Sequence, residues 1–533
     1  ILNKLYYDAY KKDMTAGTYP DVRSGLQKLL KDGLLLFNYT GHGGTTALSD
    51  EKVLTQTDIN QFTYTHLPVW VTATCDFTRF DDLNTSAGED VFLNKSSGGI
   101  ALFTTVRVAY SRPNFPINDN VIRNLFERNN GRRRTLGEVM QATKNTLSSV
   151  YKLGFCLIGD PAVKMAYPEF GMKVTTVNGQ SVDGNSISFK ALEKITVEGE
   201  VLDASGQLVT DFTGIVNPTV KDSKVTVTCL KNSNKDDSPA FTFTDYPNTI
   251  FIGNDSVRNG KFSFTFTVPK DISYSNLQGK MNLYAVDTES GNEAQGNFDN
   301  FIVGGTSDTA ETDTIGPEIR ALYLNDTTFV DGGQVNTTPY FVAELWDKSG
   351  VNITGSSVGH DMMLVIDEST VLSYNLNSYY ELLPGEDGTG IVKFPIPALE
   401  PGKHTAEFWV WDILNNSTVR TFTFEVVEGL KPFLFDVIAT PGIAREQVTF
   451  HLMHNRPESR MRVGIMVYDL AGRQLWKHEE SGTSGLFENY TVSWDLTSGG
   501  ARMRPGVYIY RAAISTDNSK DATKARKFII LGE

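Results

Sequence analysis

Hydrophobic and polar positions change rhythm once along the chain, near residue 168. Up to Pro168, short runs that are apolar on both faces, "LLLFNYT", "LPVWVTATC" and "GGIALFTTVRV", alternate with segments whose apolar residues recur at helical spacing, "PDVRSGLQKLLKDG", "NDNVIRNLFERNN" and "TLGEVMQATKNTLSSVYK". The first kind predicts buried parallel strands and the second predicts helices that end at Gly or Asn. Strand and helix in alternation predict an α/β layer architecture.

Beyond residue 168 the helical spacing disappears. Stretches such as "KITVEGEVL", "SKVTVTCL" and "GKFSFTFTVP" alternate apolar with polar residues and are separated by Asn, Asp, Gly and Ser, a pattern that predicts β-sandwich modules in series. The segment "GGTSDTAETDTIGP" (304–317) has no apolar period and reads as a linker. An internal echo supports the division: "NLYAVDTESGNEAQGNF" and "EFWVWDILNNSTVRTFTF" both run from an alternating strand through Asp to a polar turn. A further boundary falls near Gly429, before the hairpin strands of "VGIMVYDLAGRQLW" and "RPGVYIYRAAI". The predicted organisation is an α/β region over 1–168, β-sandwich domains over 169–305 and 306–428, and a C-terminal β-sandwich over 429–533.

A length of 533 residues agrees with roughly three or four domains. Apolar residues at 40% and charged residues at 21% belong to a folded chain. The formal charge of −14 comes without any basic stripe, so no nucleic-acid partner is expected. Arg132 to Arg134 form the one dense basic spot, which reads as a solvated turn between helices. No apolar run approaches the ~20 residues that span a bilayer. The chain begins at Ile1 with neither Met nor a signal peptide, so a processed or fragmentary chain is expected.

The three cysteines, Cys75, Cys156 and Cys229, form no disulfide framework and no C-x-x-C pair, and no two histidines have metal-ligand spacing, so no metal and no cofactor is expected. Cys156 lies inside the apolar run "FCLIGDPA" and Cys229 in a sandwich strand, and both are expected in cores. Cys75 and His42 differ from these, because each stands at the carboxyl end of an apolar strand. Ligand crevices of open α/β sheets lie outside those ends, so adjacent strands would bring the two side chains together. A thiolate beside an imidazole is a nucleophile with its base, and the amides of Gly43 and Cys75 are candidates for an oxyanion hole. The bland alternatives are a buried small hydrophobe for Cys75 and a turn residue for His42. The stretch "RVAYSR", with Arg107 and Arg112, follows the third strand and is a candidate lining of the same crevice suited to an anion. Asp287 and Glu289 are weighed as calcium ligands against ordinary turn residues, the reading preferred here.

"NYTGHGG", "VTATCDF", "GGIALFTTVRVAYS" and "LIGDPAVKMAYP", in that order, resemble the catalytic half of the gingipain-type (C25) cysteine peptidases, which have a caspase-like α/β fold. The resemblance implies His42 as general base, Cys75 as nucleophile and a structural role for Gly159, Asp160 and Pro161. Within that family the whole chain is similar to the surface sortases and signal peptidases of the bacterial type IX secretion system, through "AELWDKSGVNITGSSVGHDMML" (343–364) and the ending "VYDLAGRQLW" to "VSWDLTSGGARMRPGVYIYR". This implies removal of C-terminal sorting domains from cargo and transfer of the new carboxyl end to anionic lipopolysaccharide. It implies an outer-membrane β-barrel shuttle protein and other attachment-complex subunits as partners, and peripheral attachment at a Gram-negative cell surface. Two departures stand out. Cys75 is followed by Asp76, Phe77, Thr78 and Arg79 where the family places a glycine, and the family draws its histidine-orienting acid from sequence upstream of this region. A general secreted peptidase and an inert surface scaffold are the alternatives.

Overall fold

The computed structural model describes the chain except residues 63, 65, 96, 130, 149, 233–237, 308–312, 356–358, 384–388, 517–518 and 532–533. The middle of the 304–317 linker and part of the 343–364 segment therefore lie outside the described residues.

The first 166 residues run α1 (Pro20–Asp32), β1 (Leu36–Thr40), three short strands β2 (Gly43–Gly44), β3 (Ala47–Leu48) and β4 (Leu54–Thr55), α2 (Gln56–Gln61), β5 (Val69–Ala73), α3 (Ala87–Leu93), β6 (Ala101–Thr105), α4 (Ser111–Phe126), the hairpin β7 (Arg128–Asn129) and β8 (Arg132–Arg133), α5 (Leu136–Thr146) and β9 (Phe155–Ile158). The main sheet has the order β1-β5-β6-β9. Its first three strands are parallel, as the two-faced apolar runs predict, and β9 closes the edge antiparallel to β6. Phe37, Tyr39 and Trp70 pack on Val22, Leu26 and Leu30 of α1, while Val69, Val71 and Phe103 pack on Ile117 and Val121 of α4 and Val139 of α5. Both faces are therefore covered. Capping boxes at Thr55, Ser86 and Thr135 start α2, α3 and α5.

Three expectations are corrected here. Helix α4 begins at Ser111, well before "NDNV", because the prolines in its first two turns disguise a helical start. Cys156 sits on the edge strand β9 and is half-buried, not in the core. The arginine run is not a bare solvated turn. Arg132 pairs with Glu138, Arg133 and Arg128 share Glu169, and Arg134 reaches Glu127 at 3.0 Å.

The rest of the chain is β structure, whose described residues form three large apolar cores, from Met172 to Val303, from Leu324 to Val426 and from Leu434 to Ile530, with a small cluster of Tyr323, Val342 and Ile391 beside the second. Alternating burial along Lys261–Thr267 and Lys194–Leu202 places Phe262, Phe264 and Phe266 with Ile195, Val197 and Val201 inside. In the first module the main sheet curls back on itself, since Phe170–Val177 pairs in parallel with Glu293–Phe298. The second and C-terminal modules each set a five-stranded sheet against a smaller one. The sequence echo is one hairpin turn used twice: Asp287 accepts the amides of Glu289 and Ser290, and Asp412 those of Leu414 and Asn416. Cys229 follows a strand of the hairpin Val225–Thr228 and Thr242–Asp245 and is buried.

That hairpin reaches the α/β region. Asp8 accepts the amides of Lys231 and Asn232 at 2.9 and 2.8 Å and the Asn232 side-chain amide at 3.0 Å, and Leu230 donates to the Asp8 carbonyl at 2.7 Å. Tyr6 packs edge-on against Phe243. Tyr7, between them, packs into the core that holds Tyr19 and Tyr39.

Candidate active site

The register of β1 on β5 aligns Leu36 with Val69 and ends with Thr40 beside Ala73. His42 and Cys75 lie the same distance beyond those partners, so neighbouring strands about 4.8 Å apart carry both residues to one edge of the sheet. Phe37 and Tyr39 face the α1 side, so Leu36, Asn38 and Thr40 face α4. Asn118 of α4 donates to Thr40 Oγ1 at 2.7 Å, which seats that helix over the end of β1.

Two turns shape the end of each strand. After Cys75 the chain enters the left-handed region at Asp76 (φ 49°), a conformation that Asp tolerates better than most residues, and leaves the sheet at once. Beyond β1, His42 opens the β2–β3 hairpin. Ser49 donates to the His42 carbonyl at 2.8 Å, and Tyr39 Oη donates to the same oxygen at 2.6 Å. Burial pushes the Tyr39 phenol far up from its ordinary value, so it remains a donor across the working pH range. Since His42 and Ser49 form a hydrogen-bonded pair, Gly43 and Leu48 form the non-bonded pair next to it, and the Gly43 N–H points away from the hairpin. A Cβ on Gly43 would stand 2.3 Å from Thr74 Oγ1, so the glycine lets the histidine loop lie directly on the strand that carries the cysteine. Thr74 is fully buried there and its hydroxyl has no hydrogen-bond partner among the described residues.

The sulfur meets the loop between β6 and α4. Ala109 N–H donates to Cys75 Sγ at 3.3 Å, and the thiol donates to the Ala109 carbonyl at 3.1 Å. The first turn of α4 follows directly, so the positive end of a 16-residue helix dipole also faces this corner. The carbonyl contact uses the thiol proton, whereas the Ala109 N–H contact does not depend on it. The arrangement provides a half-buried thiol, an exposed imidazole on the adjacent strand and an outward-facing glycine amide, which are the parts needed for nucleophilic attack on a carbonyl.

Other residues singled out in the sequence fall as follows. His66 lies at the far end of β5, against Gly33, and cannot share the Cys75 edge. Arg107 is engaged in two bonds to Asp81, whereas Arg112 is exposed in the first turn of α4 with no ion pair among the described residues. Asp76 gives its amide to the Arg107 carbonyl at 3.3 Å, and among the described residues no side chain hydrogen-bonds the His42 ring. In "LIGDPA", Gly159 packs on Ala101, Pro161 packs on Gly137, and Asp160 caps the turn at Ala162. Asp287 is held down at about 2 by the amides of Ser290, Thr213 and Glu289, as befits a turn cap.

The sequence reading missed Ala109, whose part is played by main-chain atoms, and Thr74 and Tyr39, which lie inside the quoted motifs. It also missed a cluster at the entry to the second module. Asp313, Asp347 and Asp412 bring carboxylate oxygens within 4.8 Å of one another. Their own turns explain that placement. Asp313 meets Ile315 and Ser349, Asp347 meets Ser349 and Gly350, and Asp412 meets Leu414 and Asn416. Burial pushes the Asp347 carboxyl up to about 6.

Residues 1–166 match the family model described as Peptidase family C25. No curated protein sequence matches the chain. Among solved structures, dimeric latent PorU from Porphyromonas gingivalis is 38% identical, with 77% of this chain and 39% of that chain covered and a TM-score of 0.34. The chain thus spans well under half of PorU. The Arg-specific cysteine proteinase gingipain R is 19% identical, with coverage of 53% and 56% and a TM-score of 0.26.

Proposed function

We propose that the chain is a cysteine endopeptidase that uses Cys75 and His42, from the premise that residues 1–166 match the model of peptidase family C25. The observation that carries the reading is the parallel register of β1 on β5, since His42 and Cys75 each follow two residues after the paired ends Thr40 and Ala73. His42 takes the thiol proton as sulfur attacks the scissile carbonyl. The Gly43 and Cys75 amides receive the developing oxyanion, and His42 returns the proton to the departing amine, leaving a thioester on Cys75.

The finer reading is that the thioester is passed on. In this reading the enzyme removes C-terminal sorting domains from secreted cargo and joins the new carboxyl end to an amine on anionic lipopolysaccharide. It works at the cell surface of a Gram-negative bacterium, beside an outer-membrane β-barrel shuttle. Support comes from the resemblance of the quoted segments to type IX sortases and from 38% identity to PorU over 77% of this chain. Among the described residues no helix is long and apolar enough to cross a membrane, which agrees with peripheral attachment. Of the two arginines proposed for the acceptor, Arg112 is exposed and has no ion pair among the described residues.

The test offers a sorting-domain substrate together with a glycine peptide. Amide-linked product should rise with amine concentration while hydrolysed product falls, because a positioned acceptor can reach an effective concentration of ~10⁵ M or more. Hydrolysis alone at every amine concentration, with lipopolysaccharide present, would reduce the assignment to a plain peptidase.

A further inference from the structure

Two loops flank Cys75: residues 76–82, which leave the nucleophile, and residues 106–110, which lead from β6 to α4. Their inner parts are sewn together by buried groups. Thr105 Oγ1 donates to the Thr74 carbonyl at 2.5 Å, and Thr78 N–H donates to the Thr105 carbonyl at 3.1 Å. Val106 N–H goes to Gly154 O at 2.8 Å, on the β9 side. Farther out, one side chain spans the gap. Arg107 Nη1 and Nη2 donate to Asp81 Oδ1 and Oδ2 at 2.9 and 2.5 Å, while the Arg107 carbonyl receives the Asp76 amide. Two residues later in the chain, Ala109 lies on the sulfur with both its N–H and its carbonyl.

These two contacts act on the same short loop. In the thiol form, S–H bonds the Ala109 carbonyl and Ala109 N–H bonds the sulfur. When the proton leaves for His42 the first bond is lost and the second becomes charge-assisted, which strengthens it. Its value depends on the loop staying in place, and a bidentate guanidinium–carboxylate fork fixes direction as well as distance. Arg107 and Asp81 are 55% and 46% exposed, so the pair adds little to global stability. Its removal therefore perturbs the loop without unfolding the domain.

We propose that the Arg107–Asp81 pair is a positioning device for the nucleophile: it holds the loop so that the Ala109 amide stays on Cys75 Sγ through loss of the thiol proton. The proposal rests on the peptidase reading of the site. Arg107 is then a positioning residue, and the Ala109 amide is the group that touches the reacting atom.

The test compares the full chain with Arg107→Ala, Asp81→Ala and the swap of Arg107→Asp with Asp81→Arg. Each single change should lower kcat by roughly tenfold, since sub-ångström displacement of catalytic groups is costly, with KM and the melting temperature unchanged. Iodoacetamide, small and uncharged, should alkylate Cys75 more slowly by a similar factor, and the swap should restore much of both rates. A raised KM with unchanged kcat and unchanged alkylation would make Arg107 a substrate contact and overturn the proposal. Alkylation and turnover in Arg107→Ala equal to the parent chain would overturn it as well. Should the parent chain label Cys75 no faster than Cys156 and cleave nothing, the peptidase reading itself falls, and this proposal with it.

Discussion

Replacing Gly43 by alanine tests how the two strand ends are held together. The added Cβ would meet Thr74 at 2.3 Å from Oγ1, 3.1 Å from Cγ2 and 3.3 Å from Cβ. The shortest of these falls short of an ordinary contact of 3.4 Å by roughly 1 Å. Thr74 is fully buried and β-branched, so it has no free rotamer into which to retreat. The hairpin must move instead, and it carries the His42 backbone and the Gly43 amide with it. A displacement of about 1 Å in a catalytic group costs on the order of 10²-fold in rate. Steady-state cleavage of a peptide substrate should show that loss in kcat, with the parent fold retained by circular dichroism. Gly44→Ala is the control, because nothing lies within 4 Å of its Cβ position. Thr74→Ala is the rescue: it removes Oγ1 and Cγ2 and leaves the one contact at 3.3 Å. It also removes a buried hydroxyl that has no partner among the described residues, so the change alone should cost little. The double variant should recover most of the activity, a coupling that a double-mutant cycle reads directly. Full activity in Gly43→Ala, or no recovery in the double variant, would refute the close apposition of the two strand ends.

Other outcomes follow from the same geometry. Near neutral pH iodoacetamide should label Cys75 first, while burial pushes the Cys229 thiol up and leaves that residue slow; equal labelling by peptide mapping would count against a dedicated nucleophile. His42→Ala should lower kcat by ~10²- to 10⁴-fold, and adding Cys75→Ala should change little more, as expected of groups that act as a unit. Asp347, with its carboxyl pushed up to about 6 by burial, holds a proton more tightly folded than unfolded. Its contribution is therefore most favourable below about pH 4 and is lost as pH rises through 6. Asp347→Asn should raise the melting temperature at pH 7.5, with the gain vanishing toward pH 4; an equal gain at both would contradict this.

The periodicity of the chain revealed the α/β region because β5 and β6 are buried on both faces, while β1 buries Phe37 and Tyr39 on one face and leaves Asn38 and Thr40 exposed on the other. It revealed the sandwich strands because each has one wet face. Cys75 and His42 stood out as candidates for a related reason. An apolar run that gives way to His42 or Cys75 announces a change of environment. What escaped was whatever depends on main chain or on distant partners. Ala109 acts through atoms that every residue has. Arg107 looks uncommitted until the fold brings Asp81 to it. Cys156 looks like a core residue because the sequence of β9 does not say that it pairs on one side only. The start of α4 was hidden by two prolines that a helix accepts in its opening turns.

The link between Asp8 and Asn232 joins residues 224 positions apart. A loop of that length closes late, after the intervening module has found its own structure. Beside Asp8 is Tyr7, which packs against Tyr39, and Tyr39 holds the carbonyl of His42. The histidine loop is thus supported through a short stack of tyrosines by a hairpin that emerges from the ribosome far behind it. A nascent chain made only as far as residue 166 lacks the support under the base of that loop. Order of synthesis thus sets when the loop that carries His42 gains its support: only after a neighbouring module has folded.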